Sequence, residues 1–445
     1  MLRLTRAASM PCRGLLSLTL SYVLLLSVCP FTVRRAVAAA TAEKKAASRP
    51  AVINAQRGAR REGELLVRFR ENVAEHERIA LVASRGARRA RGLRGESQIE
   101  KLELSAGQDA ETLAAVLRAH PEIEFAEPNY LIERQDVTPN DPRFGEQWAL
   151  RNTGASGGVP GADIGAQAAW ARTIGALTTV VAIVDSGIDF THLDLANNRW
   201  TNRGERAGNN RDDDRNGLTD DVHGWDWVTN SGVITDGQGH GTNIAGLIAA
   251  QGDNGEGIAG VMWRASLMSL RVLDNTGTGD VADAVEAIDY AVTHGAHVVN
   301  CSWGLEQESV ILRDAIARAG RRGVVVVTSA GNGGRDVDLV PYYPASYNLP
   351  NLVAVAATDG FDQLTTWSNW GGRAVTVGAP GVDLLTTQRG GGYTFVTGTS
   401  AAAPLVAGIA GLVKTVRPWL SAAGTKLAVV EGARQLAGLS GKVSA

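Results

Sequence analysis

Residues 178–185 read TTVVAIVD, a valine-rich apolar run that ends on a carboxylate. Similar runs are HVVNCS at 297–302, GVVVVTSAGN at 323–332 and NLVAVAATD at 351–359. Longer helical stretches lie between them, GDVADAVEAIDYAVTHG at 279–295 and ESVILRDAIARAGRRG at 308–323. Apolar strands that alternate with helices indicate a parallel sheet covered on both faces. The sequence therefore predicts an α/β domain with a mostly parallel sheet between two layers of helices.

Polar side chains at the ends of these runs are candidates for chemistry, because active groups in such folds collect at the carboxyl ends of strands. Asp185 and Asn332 each follow an apolar strand. His240 and Ser400 begin apolar helices, in GQGHGTNIAGLIAA and GTSAAAP. A serine hydroxyl is a weak nucleophile that needs an imidazole to take its proton and a carboxylate to orient the imidazole. The alternative for Ser400 alone is a simple helix N-cap.

The segments VAIVDSGID, HGT, GTSAAAP and SAGN resemble the signatures of the subtilisin-like serine proteases of the bacterial secreted branch, in which the chain order is also Asp, His, Ser. The resemblance covers roughly residues 138–443. It implies a three-layer subtilisin-like domain in which Ser400 is the nucleophile, His240 the general base and then acid, and Asp185 its orienter. It also implies that Asn332 donates to the oxyanion beside the backbone N–H of Ser400.

The same resemblance implies a cleft that binds an extended protein or peptide substrate. The edge segment that would pair with the substrate backbone is Gly277, Thr278 and Gly279. The opposite wall would be Ser302, Trp303 and Gly304, and the pocket for the residue before the scissile bond would be Ser329, Ala330 and Gly331. These small residues predict an open pocket that accepts large apolar side chains.

Residues 63–135 predict a small α+β domain with the order strand, helix, strand, helix, strand, and with a basic loop after the first helix. Its final segment, EFAEPNYLIE at 124–133, resembles the last strand of the family's ferredoxin-like inhibitory propeptide. The resemblance implies that the chain is a zymogen that processes itself near residues 133–140, with its own propeptide as chaperone and inhibitor. The peptidase domain is expected at 136–445, and as a monomer.

The first 40 residues combine arginines, the apolar run LLSLTLSYVLLLSVC and a segment of small residues. This pattern predicts a signal peptide and hence a secreted or periplasmic protein, with an uncleaved membrane anchor as the alternative. Residues 41–62 read as a linker. Cys301 is the single cysteine after Cys29, so the mature part is expected to have no internal disulfide.

Charge is unevenly distributed along the chain. Residues 1–135 contain 22 Lys and Arg against 15 Asp and Glu, whereas residues 136–445 contain 22 against 31. The two parts are expected to attract each other, so the basic part does not require a nucleic-acid partner.

The acidic segment NNRDDDRNGLTDDVHGWDW at 209–227 predicts a calcium loop, with a solvated acidic turn as the alternative. Its alternating ligands would be Asp212, Asp214 and Asn216, completed by the Leu218 carbonyl and by Asp220 or Asp221. The resemblance implies a second calcium site at Asp194, Asn254 and the carbonyls of Glu256 and Ile258.

Two rival functions differ in class from a protease. A serine esterase usually places its nucleophile in GxSxG and orders its triad Ser, Asp, His, and neither feature occurs here. A calcium-dependent adhesion module with an inactive protease fold is disfavoured by the intact set Asp185, His240, Ser400 and Asn332.

Overall fold

The computed structural model describes residues 60–94, 98–131, 136–155 and 157–445. The chain divides into two units, residues 1–133 and 134–445. The predicted signal segment, most of the predicted linker and part of the predicted processing junction lie outside the described residues. The boundaries proposed for those segments therefore remain predictions.

The N-terminal unit has the order βαββαβ. Its elements are β1 (Arg60–Phe69), α1 (Glu75–Ala83), β2 (Ala87–Gly92), β3 (Ile99–Leu104), α2 (Ala110–Arg118) and β4 (Ile123–Tyr130). The strands form an antiparallel sheet in the order β2-β3-β1-β4, which is the expected ferredoxin-like arrangement. Asp109 caps α2 by accepting a 2.8 Å hydrogen bond from the backbone N–H of Thr112.

The basic segment after α1 is a strand rather than the predicted loop. Residues of β2 pair with β3, and the guanidinium of Arg89 lies 3.1 Å from the buried carboxylate of Glu100. Cross-strand ion pairs thus compensate for arginines that have little strand propensity. The first strand also begins inside the predicted linker, because Arg60 pairs with Tyr130.

The C-terminal unit is built on a seven-stranded sheet. Its strands are β5 (Gly175–Asp185), β6 (Gly224–Asp226), β7 (Arg264–Arg271), β8 (Val298–Cys301), β9 (Val325–Ser329), β10 (Leu352–Thr358) and β11 (Val377–Pro380). Their order is β11-β10-β9-β8-β5-β7-β6, and every neighbouring pair is parallel. A separate antiparallel hairpin joins β12 (Leu384–Thr387) and β13 (Tyr393–Val396).

Helices cover both faces of the sheet, as the apolar strands predicted. The helices of this unit are α3 (Ala166–Trp170), α4 (His240–Ala249), α5 (Val281–Thr293), α6 (Val310–Arg321), α7 (Thr399–Val416) and α8 (Ala422–Gly432). Val181 and Ile183 of β5 belong to the hydrophobic core formed with α4 and α7, whereas Ala182 and Val184 belong to the core formed with α5 and α6. This alternation makes a three-layer α/β fold.

Helix α7 crosses beneath the sheet and is largely buried. By length and hydropathy it would suit a membrane span, but 72% of it is buried inside the unit, as in the core helix of a soluble fold. It passes the segment before β7 so closely that a Cβ on Gly408 would lie 2.6 Å from the Cβ of Val261. Glycine at this position therefore permits the close approach of helix and segment.

Gly408→Ala is expected to destabilise the protein, because overpacking a core costs about 1–3 kcal/mol. The melting temperature of the Ser400→Ala chain, chosen to prevent autolysis, should fall by roughly 2–4 °C per kcal/mol lost. The matched control is Gly432→Ala in α8, where a Cβ would meet nothing within 4 Å. This control should leave the melting temperature unchanged or raise it. Equal melting temperatures for the two variants would contradict the packing argument.

Candidate active site

The structure brings Asp185 and His240 together. Asp185 is the fully buried last residue of β5, and its two carboxylate oxygens lie 2.8 and 3.0 Å from Nδ1 of His240, the first residue of α4. Since an ionised carboxylate can only accept, Nδ1 carries the proton. The other ring nitrogen, Nε2, is then free to take a proton from a nucleophile.

A second buried carboxylate, Asp236, holds the loop that leads into His240. Its Oδ1 accepts from the Ser186 hydroxyl at 2.8 Å and from the backbone N–H of Gly239 at 2.7 Å. Its Oδ2 accepts from the backbone N–H and the hydroxyl of Thr242, at 2.9 and 2.6 Å. The bonded residues Gly239 and Thr242 thus lie on either side of His240 in the chain. Sequence reasoning missed Asp236, although a carboxylate four residues before the histidine was visible.

The charge of Asp185 raises the pKa of His240 above its ordinary value. Burial of the ring opposes this effect, while the hydrogen bond to Asp185 and the charge of Asp236 add to it. The imidazolium form, which arises after proton transfer from a nucleophile, is therefore stabilised in this site.

Ser400 is the second residue of α7. The N-cap is Gly398, whose φ of 153° suits glycine, so the interpretation of Ser400 as a simple N-cap was wrong. The Ser302 hydroxyl donates a 3.0 Å hydrogen bond to the backbone carbonyl of Ser400. Within the described part of the chain, no hydrogen bond joins the Ser400 hydroxyl to the imidazole. Such bonds often tighten only when substrate binds.

Asn332 is oriented by the residue before Ser400. Its Oδ1 accepts from the backbone N–H and the hydroxyl of Thr399, at 2.9 and 2.8 Å, so its Nδ2 is left for another acceptor. A Cβ built on Gly398 would lie 3.0 Å from the Ser400 hydroxyl oxygen, 3.5 Å from Asn332 Nδ2 and 3.6 Å from the Ser400 backbone nitrogen. One hydroxyl and two N–H donors thus border the same small space.

Asn369 holds the loop that carries Asn332, and sequence reasoning missed it. Its amide is buried and donates to the Ala330 carbonyl at 2.8 Å. Its Oδ1 accepts from the backbone N–H groups of Gly333 and Arg335, at 3.0 and 3.2 Å. Nothing in the segment TTWSNWGG marks this asparagine, because an ordinary turn residue looks the same.

The sequence is similar to those of known proteins. The model of the subtilase family matches residues 177–443, and the model of the fervidolysin N-terminal prodomain matches residues 46–129. A thermophilic serine proteinase of Bacillus sp. (strain AK1) is 34% identical over 396 residues, 88% of each chain. Thermitase of Thermoactinomyces vulgaris is 38% identical over 275 residues, 62% of this chain and 85% of thermitase. The chain belongs to the subtilase family.

This subtilase is therefore a serine protease with an N-terminal prodomain, which confirms the family and the fold class expected from the sequence motifs. The esterase alternative is excluded. The roles of individual residues remain predictions, which the geometry above supports.

The predicted cleft residues of the subtilase lie around these groups, with two differences from expectation. Trp303 directs its indole N–H to the Val184 carbonyl at 2.8 Å, so part of this side chain is committed to the core. In the exposed segment 275–280, both backbone groups of Thr278 are used by Asp274, at 2.8 and 3.0 Å. A substrate can pair with Gly277 and Gly279 as a strand only if this turn opens, or if the pairing uses backbone groups that are not bonded within the turn.

Part of the predicted metal loop of the subtilase converges on Asp214. Ligand atoms of Asp214, Asp221 and His294 lie within 4.8 Å of one another, and so do those of Glu205, Asp212 and Asp214. Asp221 is fully buried, and one of its oxygens accepts from the Tyr290 hydroxyl. Among the described residues, its other oxygen, Oδ1, is buried and accepts no hydrogen bond.

All the side chains predicted as ligands in this loop also have partners within the protein. Asp212 accepts from the backbone N–H of Gly217 at 2.8 Å, and Asp214 accepts from the Asn202 amide at 2.9 Å. Asp220 accepts from the backbone N–H groups of Asn209 and Asn210, at 3.2 and 2.9 Å, and so holds the preceding turn. Asn216 donates to Asp221 at 2.9 Å, while its Oδ1 accepts from the backbone N–H of Leu218 at 2.7 Å. Sequence reasoning missed His294 because it is distant in the chain from the DDD motif, and it missed Glu205 because this residue precedes the alternating ligand pattern.

At the predicted second calcium site of the subtilase, the side chains of Asp194 and Asn254 are already hydrogen-bonded, and the site stays a prediction. The oxygens of buried Asp194 accept from the Asn254 amide at 2.9 Å, the Ile258 backbone N–H at 3.1 Å and the Tyr393 hydroxyl at 2.9 Å. The Oδ1 of Asn254 accepts from the backbone N–H of Glu256 at 2.8 Å. Calcium needs oxygens that face the ion. One such oxygen is the buried Oδ1 of Asp141, which accepts no hydrogen bond among the described residues and whose carboxylate feels the charge of Asp194.

Asp185→Asn is expected to lower the pKa of His240, because the substitution removes the main charge that raises it. In the Ser400→Ala chain, an NMR titration should give a midpoint above about 6.5, the ordinary histidine value. Asp185→Asn should move this midpoint to lower pH. The internal control is His223, whose pKa is lowered by burial and should stay so. An unchanged His240 titration would contradict the electrostatic assignment.

Proposed function

We propose that the subtilase is a secreted endopeptidase that hydrolyses peptide bonds through an acyl-enzyme, with Ser400 as its nucleophile. The observation that carries this proposal is the space beside Gly398, bordered by the Ser400 hydroxyl and by two N–H donors. The Asp185–His240 pair supplies the base that such a hydroxyl requires.

In this mechanism the Ser400 hydroxyl attacks the carbonyl carbon of the scissile bond while His240 Nε2 takes its proton. The developing oxyanion accepts from the Ser400 backbone N–H and from Asn332 Nδ2, and one such donor is worth about 3–4 kcal/mol. His240 then gives the proton to the leaving amine. Water, deprotonated by His240, next attacks the ester carbonyl of the acyl-enzyme and releases the Ser400 hydroxyl. Thr399 acts as a positioning residue, since it holds the Asn332 amide in the donating orientation.

Ser400→Ala is expected to abolish both proteolysis and labelling by a fluorophosphonate. Expressed in a protease-deficient host, the variant should also keep its prodomain, because the same hydroxyl would have to cut the junction. The matched control is Ser440→Ala, which replaces an exposed serine and should label and mature normally. An unlabelled wild-type protein would favour the inactive adhesion module. A Ser400→Ala chain that matures would contradict autoprocessing.

We propose that the prodomain inhibits the mature enzyme by contacts other than net charge. Residues 63–135 contain 11 basic and 13 acidic residues, so the basic excess of the N-terminal part lies in residues 1–62. The charge attraction inferred from the two halves of the chain therefore does not belong to the folded prodomain. Its last strand, β4, instead offers an extended backbone of the kind that a peptide cleft recognises.

We propose that the cluster around Asp214 holds a structural calcium ion. Glu205, Asp212, Asp214 and Asp221 supply carboxylate oxygens, the ligands that Ca²⁺ prefers, and the buried Asp221 Oδ1 has no other partner among the described residues. When bound, the ion would neutralise carboxylates that otherwise repel one another.

Asp214→Asn is expected to remove part of the calcium response of the melting temperature, because the predicted site at Asp194 and Asn254 would bind independently. Binding to the folded state alone stabilises by about 2.7 kcal/mol at a hundred times the dissociation constant. The measurement is a thermal melt of the Ser400→Ala chain in calcium and in chelator. The matched control is Asp213→Asn, because Asp213 accepts from Arg206 N and Asn209 Nδ2, at 3.1 and 2.7 Å, and lies outside both ligand groups. Equal calcium shifts in both variants would make this loop a solvated acidic turn.

A further inference from the structure

Tyr342 lies between the two predicted walls of the specificity pocket. A Cβ on Gly304 would lie 2.7 Å from Cζ of the Tyr342 ring, and a Cβ on Gly331 would lie 2.8 Å from its Cε1. The same edge of the ring therefore reaches both walls. Neither glycine can be replaced by a residue with a side chain unless the ring moves.

These contacts alter the predicted size of the specificity pocket. The sequence predicts that Ser329, Ala330 and Gly331 line an open pocket for a large apolar side chain, with Gly304 on the opposite wall of the cleft. In the structure, the room beside both glycines is taken by the Tyr342 ring, together with the Tyr343 carbonyl at Gly304 and the Asn369 amide at Gly331. The open-pocket expectation overlooked this residue because Tyr342 precedes YPASY in a loop that carries no catalytic motif.

The ring of Tyr342 is held by its surroundings. The Arg335 guanidinium lies 5.5 Å from the ring centroid, and its NH2 group donates to Glu306 at 3.0 Å. The backbone N–H of Tyr342 donates to the Ser346 hydroxyl at 3.1 Å. The ring also packs against a small core that contains Ala330 and Val337. Movement of the ring out of the pocket would break the cation–π contact and this packing.

We propose that Tyr342 is a specificity-determining residue that closes the floor of the pocket and limits the residue before the scissile bond to small side chains such as Ala, Ser or Gly. A Phe or Leu side chain at this position would need the space that the ring occupies. This inference rests on the proposed function, because the pocket is defined relative to Ser400. It reverses the preference for large apolar residues expected from the sequence.

The test compares two tetrapeptide anilides that differ only in the residue before the scissile bond, Ala in one and Phe in the other. Fluorophosphonate titration gives the concentration of active enzyme for each preparation. Misfit by one methylene in such a pocket changes kcat/KM by about 10–200-fold. The wild-type enzyme should therefore cleave the Ala substrate with a kcat/KM at least about tenfold above that for Phe.

Tyr342→Gly should raise the Phe-to-Ala ratio of kcat/KM by about tenfold or more, since it empties the floor of the pocket. The matched control is Tyr342→Phe, which keeps the ring and should keep the wild-type ratio. A rise in the ratio for Tyr342→Phe would assign the selectivity to the hydroxyl and overturn the steric proposal.

If Tyr342→Gly fails to fold, two measurements on the wild-type enzyme still test the proposal. They are its Phe-to-Ala ratio of kcat/KM and the residues after which it cleaves a denatured protein. A wild-type enzyme that labels with fluorophosphonate but cleaves after Phe as readily as after Ala would overturn this inference and leave the proposed function intact. A protein that does not label at all would contradict the proposed function instead.

Discussion

Burial of the central sheet on both faces is the constraint on which the active site depends. Side chains in the middle of β5, β8 and β9 are surrounded by helices, so polar groups accumulate where these strands end. Because the three strands are parallel neighbours, their ends meet at one edge. Asp185, Ser302 and Ser329 reach that edge for this reason, although more than a hundred residues of chain separate the first from the last.

Helix α7 completes the site because it begins at the same edge. Its close passage under the sheet requires small residues such as Gly408, and its first turn meets the loop after β9. Thr399 there accepts from the Gly331 backbone N–H at 3.1 Å and donates to Asn332. Packing of a core helix and orientation of the Asn332 amide are thus parts of the same arrangement.

The two predicted calcium sites differ in how far the carboxylates of Asp194 and Asp221 are already hydrogen-bonded. Asp194 is satisfied by an amide, a backbone N–H and a phenol, and burial together with the hydrogen bond to Asp194 raises the pKa of Tyr393. Asp221 keeps an oxygen without a partner among the described residues, next to other carboxylates. An unsatisfied buried oxygen is costly, and Asp141 beside Asp194 keeps one as Asp221 does, so a cation would offset this cost at either site.

The sequence alone determined the layered fold and the prodomain, and it pointed to the residues proposed as a triad, because apolar runs, helix starts and short motifs are local patterns. It did not reveal β6 and β11, which are short, or β7, whose RASLMSLR carries polar residues within the strand. Only the tertiary structure decided which groups meet across the chain. Asn369 and His294 meet their partners through contacts that no spacing encodes. The same reason explains Tyr342: glycines in a sequence report that space is needed, but the neighbour that fills the space is chosen by the fold.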